Sequence, residues 1–224
     1  MKVIISFSIL ALFFLSSCIE IIDDITVNED GSGTFKYTIN LSSSKVKINS
    51  ILALDSLDGK KVPSINDITV RINRVIGQLK SKDGISNVSS SADYNDFIFK
   101  IECDFSSFED LQDAIRDIIR SESKEKDIPE LDEEWLSFKE GKLVRSIPQI
   151  AIKKKSDINA EDGKLLRAGT YTSITRFNSE VDQIENNNAL LSKNKKAVMI
   201  RTDPYSLIQN PNLLDNTIYL VKTD

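Results

Sequence analysis

FIFKIECDFSSFEDLQDAIRDIIR, residues Phe97–Arg120, carries two different periods in immediate succession. Phe97, Phe99, Ile101, Cys103 and Phe105 recur at every second position, with Lys100, Glu102 and Asp104 between the later ones. That alternation is a strand with one apolar face. Ser107 then stands three residues before Asp110, a capping box, and Phe108, Leu111, Ala114, Ile115, Ile118 and Ile119 follow at helical spacing until about Arg120. A strand feeding directly into an amphipathic helix predicts that the helix folds back over the strand's apolar side, which places the chain in the α+β class. Cys103, set among aromatic and aliphatic neighbours with no cysteine or histidine nearby, reads as a small buried hydrophobe.

The residues upstream extend the same pattern. IEIIDDITV (Ile19–Val27) is rich in β-branched residues, and Phe35, Tyr37, Ile39 and Leu41 alternate with Thr34, Lys36, Thr38 and Asn40. Between the two runs lies NEDGSG (Asn28–Gly33), where Asp30-Gly31 suits a tight turn and Gly33 is a candidate bulge. The loop lacks the ligand pattern and closing glutamate of an EF-hand and the Lys-Ser/Thr pair of a P-loop, so it reads as a hairpin turn. Two helices are predicted next: Lys45 to Leu57 behind Ser42–Ser44, and Ile65 to Lys82, stopped by Gly84 and interrupted by Gly77. Ile85 to Ser90 is a short strand, and Asp93–Asp96 a turn.

The first residues belong to processing rather than fold. Lys2 precedes the apolar run VIISFSILALFFLS (Val3–Ser16), which is shorter than the roughly 20 residues of a membrane span. Leu15-Ser16-Ser17-Cys18 then has the form of a bacterial lipobox, in which cleavage falls before the cysteine and acyl chains are attached to it. Two or three chains on one residue anchor stably where a single chain does not. No Gly/Ser/Pro-rich spacer follows Cys18, so the body is expected to sit close to the bilayer. Residue 19 is Ile rather than the Asp of inner-membrane retention, which in a Gram-negative cell favours the outer membrane, and no strongly acidic run directly follows the cysteine, which favours the periplasmic leaflet, with Asp23 and Asp24 keeping surface export open.

Downstream of the helix the composition changes. SESKEKDIPELDEE (Ser121–Glu134) holds seven acidic residues against two lysines and reads as a solvated excursion that contributes little to the core, without the ordered oxygen ligands of a calcium loop. Trp135, Leu136 and Phe138 precede a Glu140-Gly141 turn and a short strand from Lys142 to Ile147. Trp135 suits core packing, with a contact to a partner or a lipid headgroup as the alternative, and Lys153–Lys155 lack the interleaved aromatics of a nucleic-acid site. YTSITRF (Tyr171–Phe177), KAVMIR (Lys196–Arg201) and Thr217–Val221 predict further strands, with DPYSLIQNPNLLD (Asp203–Asp215) rich in turn formers.

Four of these stretches, the lipobox at Leu15–Cys18, NEDGSGTFKYTINLSSS (Asn28–Ser44), FKIECDFSSFEDLQDAI (Phe99–Ile115) and YTSITRFNSEV (Tyr171–Val181), resemble uncharacterised lipoproteins of the Bacteroidota, of flavobacterial type. The resemblance implies an acylated Cys18 and an envelope location, and supplies no catalytic or cofactor-binding residue.

Composition bounds the chemistry. The 224 residues include 29 Lys and Arg, 34 Asp and Glu and no histidine, for a formal charge of −5. Histidine-based catalysis, histidine-ligated zinc and a histidine pH switch are excluded, and the acidic balance offers no general attraction to nucleic acid. The expected organisation is a lipoprotein signal peptide over residues 1–17, an α+β part over 18–120, the acidic excursion over 121–134 and a β-rich part over 135–224 that can belong to the same domain. The expected fold is α+β, with antiparallel sheet elements packed against two or three helices and a β-rich C-terminal part. The site expected from the sequence is lipid attachment at Cys18, with no catalytic, cofactor or metal residue. The membrane is the expected partner, with an envelope protein or apolar ligand beside it. A non-catalytic structural, assembly or protein-binding role leads. A module for a small apolar ligand or lipid, and a carboxylate-based envelope enzyme, are the alternatives.

Overall fold

In the structure, a computed structural model, residues 19–57, 59–123, 127–146, 158 and 160–221 are described. Two strands at the start of the body, β1 (Glu20–Val27) and β2 (Gly33–Asn40), form the expected hairpin, in register from Glu20 opposite Asn40 to Val27 opposite Gly33. The Asp30 carboxylate closes the turn by accepting from the Ser32 backbone amide at 3.0 Å. Gly33 is not a bulge, because it keeps the ladder register on both sides. Its lack of a side chain serves close packing: a Cβ there would lie 2.0 Å from the Thr26 carbonyl oxygen and 2.6 Å from the Phe105 ring.

The segment that decided the fold class behaves as its periods require. Strand β6 (Ile98–Phe105) pairs with β2, and β5 (Ile85–Asp93) pairs with β6 through a register shift between Ser86 and Ser89. Phe97 lies just outside the strand at φ +54°, buried at the turn. Helix α3 (Phe108–Glu122) starts at Ser107, whose hydroxyl accepts from the Asp110 amide at 3.1 Å, and buries Leu111 and Ala114 completely. It runs two residues beyond the expected stop. Helix α2 (Ile65–Lys80) has a reciprocal capping box between Ser64 and Asp67 and packs against β5 and α3. The first predicted helix is shorter: α1 (Lys45–Leu52) gives way to a small hairpin of β3 (Ser56–Leu57) and β4 (Lys60–Lys61), turned at Gly59.

The C-terminal part supplies strands to both sheets. Strands β7 (Leu136–Lys139) and β8 (Lys142–Arg145) form a hairpin at Glu140 and Gly141, both with positive φ as a two-residue turn requires. After α4 (Ala160–Ala168), strand β9 (Thr170–Phe177) lies parallel to β1, followed by β10 (Val181–Ile184), β11 (Leu190–Leu191) and β12 (Ala197–Thr202). The segment expected as turns contains α5 (Pro204–Gln209), capped by Asp203, before β13 (Asn216–Leu220). The main sheet thus runs β11-β12-β9-β1-β2-β6-β5, and a second runs β10-β13-β8-β7.

One face of the main sheet is covered and the other is wet. Ile25, Val27, Cys103, Phe105, Phe177 and Val198 meet Leu79 and Leu111 from the helices and Leu136, Leu143 and Ile218 from the second sheet in one core. On the opposite face Asp24 pairs with Arg176 and Lys36 with Glu102, an alternation of charge across four neighbouring strands. The acidic stretch corrects its reading as a segment with little packing role. Ile128 and Leu131 are buried, Arg116 donates from Nε to the Leu131 carbonyl at 2.6 Å, and Arg120 reaches Asp132. Two apolar residues among seven acidic ones are too sparse to show a period, yet they suffice to fasten the return from α3 to β7.

Candidate functional site

The residue singled out by the sequence, Cys18, lies outside the described residues. Its neighbour already belongs to the fold. The Ile19 carbonyl accepts from the Thr170 amide at 2.7 Å, and β1 begins at Glu20 between β2 and β9. The chain therefore leaves Cys18 directly into an inner strand of the main sheet. At the same edge Asn40 donates to the Glu20 carboxylate at 3.1 Å, and α1 is tied down on both sides, by Lys45 to Asp96 at 2.8 Å and by Lys47 to Glu161 at 3.5 Å.

A second constellation lies in the interior and is absent from the sequence-based expectations. Asp23 points inward from β1 and meets Arg145 of β8 in a two-pronged ion pair at 3.0 and 3.2 Å. Its carboxylate also accepts from the Ser173 hydroxyl at 2.9 Å and from the Tyr171 hydroxyl at 2.5 Å. Asp23 and Arg145 side chains are 4% and 11% exposed, so this is a charge pair removed from water. Burial opposes the Arg145 charge, but Asp23 outweighs it and holds the guanidinium pKa above its ordinary value. Burial, reinforced by Asp23, raises Tyr171 well above the usual tyrosine range and pushes Tyr37, the cross-strand neighbour of Asp23, up to about 12. Four donors occupy the Asp23 oxygens and both phenols keep their protons. The geometry is that of a lock between two sheets, with no free lone pair turned toward a solvent cleft.

One signal could have pointed to it. Asp23 shares the inward parity of Ile25 and Val27, and an acidic side chain on the apolar side of a strand needs a partner. The partner lies 122 positions away, where no local pattern reaches. Beside the lock, Ser173, Thr175, Val198, Ile200, Asn216 and Ile218 enclose a narrow space with room for about one water.

A more open groove of about 480 Å³ runs between α3 and β7. Phe108, Gln112, Asp113, Arg116, Asp132 and Glu134 are among the residues that line it. Gln112 is buried there and its side-chain carbonyl accepts from the Trp135 and Leu136 amides at 2.8 and 3.1 Å, pinning β7 to the helix. Trp135 packs against the core, as its first reading has it. Cys103 is fully buried, and burial, with Asp104 and Glu102 nearby, pushes its thiol up to about 11. The NEDGSG loop is a turn held by its own side chains. Lys153–Lys155 lie outside the described residues. Among the described residues no cluster of three or more Cys, Asp or Glu side chains is arranged to hold a metal ion, and no helix is long and apolar enough to cross a membrane.

No protein-family model matches the sequence, and no curated protein matches it either. Among solved structures, the folded domain of LppM from Mycobacterium tuberculosis, determined by NMR, aligns over 95% of this chain and 95% of that one, with 10% sequence identity and a TM-score of 0.44. That correspondence is too loose to carry residue roles from one chain to the other.

Proposed function

We propose that this chain is a bacterial envelope lipoprotein, acylated on Cys18 and facing the periplasm from the outer membrane, whose α+β body has a non-catalytic structural, assembly or protein-binding role. The observation that carries the reading is how closely the main sheet follows the lipobox in sequence. Ile19, the residue after the cysteine before which a lipobox is cut, is already hydrogen-bonded to the sheet, so a body acylated at Cys18 would be held directly against its lipid. The buried Asp23 carboxylate has its oxygens engaged by four donors, and the space beside it holds about one water, so this pair supports a structural role. The larger groove between α3 and β7 is lined mostly by polar and charged side chains, which does not favour an apolar ligand there.

Mass spectrometry of the mature N-terminus from the native host tests the anchor. The expected result is an acylated Cys18 as first residue, with attachment lost in Cys18→Ala. An unmodified thiol at that position, or a retained leader, would sink the proposal. Crosslinking and pull-down of the acylated protein test the role, with a reproducible protein partner expected. Turnover of an envelope substrate, abolished by one surface Asp, Glu, Ser or Lys substitution that leaves folding intact, would show an enzyme instead.

A further inference from the structure

We infer that α1 and the β3–β4 hairpin form a second membrane contact, resting on the headgroup layer beside the acylated cysteine. The inference rests on the acylation of Cys18 proposed above. Two residues of chain reach about 7 Å, so an anchor on Cys18 holds the edge where β1 begins against the lipid. That edge carries α1. The helix follows β2 after one short turn, and β2 ends opposite Glu20, where β1 starts. Lys45 and Lys47 fasten it sideways to Asp96 and Glu161, and Val46 between them turns outward with 82% of its surface exposed.

Three further features separate this projection from the rest of the surface. Helix α1 buries none of its residues, and from Ala53 to Asp67 every described residue except Val62 is exposed. Among the described residues, three of the nine large apolar side chains left exposed fall between Lys45 and Lys61, Val46 together with Leu54 at 48% and Leu57 at 43%. The stretch KVKINSILALDSLDGKK (Lys45–Lys61) has four lysines against two aspartates, and two of the four, Lys60 and Lys61, stand outside the ion pairs to Asp96 and Glu161. Separate apolar side chains with lysines beside them suit an interfacial contact, the apolar groups entering the headgroup boundary and the Lys60 and Lys61 ammonium groups meeting anionic lipid. The β1–β2 turn, at the far end of the same strands, would then point away from the membrane.

The acylated full-length mature protein, reconstituted in vesicles of phosphatidylethanolamine and phosphatidylglycerol, provides the test. Val46→Cys and, as the far-edge control, Asp30→Cys are each labelled with an environment-sensitive fluorophore. Cys103 is buried and Cys18 acylated, so the introduced thiol takes the label. With nitroxide-headgroup lipid present, quenching at position 46 should exceed that at position 30 by at least about twofold, and Leu54→Glu with Leu57→Glu should reduce it. Equal, weak quenching at both positions on protein whose Cys18 is acylated would overturn the contact and leave the anchor reading standing. Failure to find acyl chains on Cys18 would remove the anchor reading and this inference together. Shielding of position 46 by a co-purifying protein, without quenching by lipid, would also overturn it.

Discussion

Asp23 and Asp24 are consecutive residues of one strand, both carboxylates and both paired with arginine, yet they stand in different media. Asp24 faces outward, and its partner Arg176 is about half exposed. Asp23 faces inward and meets Arg145 between two sheets, with Tyr171 and Ser173 completing its hydrogen bonds. Their cross-strand neighbours follow the same division, Lys36 opposite Asp24 and Tyr37 opposite Asp23. The strand's two-residue period sets that difference, and it shows that the consequence of an ion pair depends on its surroundings more than on its charges. In water the pair gains little beyond what solvent already provides. In the core each charge is tolerable only while the other is present.

The largest effect should come from removing one half of the inner pair. Arg145→Met leaves the Asp23 carboxylate buried without its counter-charge, and unfolding in denaturant should show a loss of about 3–5 kcal/mol. The double variant with Asp23→Leu should recover much of that loss, because the uncompensated charge is gone. A single variant as stable as the parent would show that water or another group reaches Asp23.

A smaller effect belongs to alkaline pH and to the neighbour of Asp23. Tyr37 titrates near 12 in the folded protein, pushed up by burial and then by Asp23, against about 10 unfolded. Its contribution to stability is complete below pH 10 and is lost as pH rises toward 12, since only the unfolded chain releases the proton in that window. Two pH units correspond to about 3 kcal/mol. Tyr171 and Cys103, raised for the same first reason, steepen the slope in the alkaline range. Stability measured between pH 9 and 12 should therefore fall steeply, and Tyr37→Phe should remove a measurable share of the slope. An unchanged slope would place the Tyr37 hydroxyl in contact with solvent.

The smallest effect is expected outside. Arg176→Met should change stability by no more than about 1 kcal/mol, and by less still at high salt, because that pair is screened. A loss approaching that of Arg145→Met would mean that the wet face is covered in the native protein, and would turn attention to what covers it.

Much of the frame was present in local sequence. The alternation in Phe99–Phe105 and Thr34–Asn40, the cap at Ser107 and the apolar stripe of α3 each depend on residues within a few positions of one another, which is the range over which backbone geometry and side-chain caps act. The lipobox-like run Leu15–Cys18 is likewise contiguous, so the expectation at Cys18 needs no knowledge of the fold. The tertiary structure decided the remainder. It set β9 parallel to β1 across the whole intervening chain, drew Ile128 and Leu131 out of an acidic stretch into the core, and brought α1 to the edge where the chain enters the sheet. It also matched Asp23 to Arg145. A local period can state that Asp23 faces inward, but the guanidinium that makes this tolerable comes from another sheet. Long-range pairing is selected by the fit and desolvation of whole surfaces, and no short run of residues encodes either.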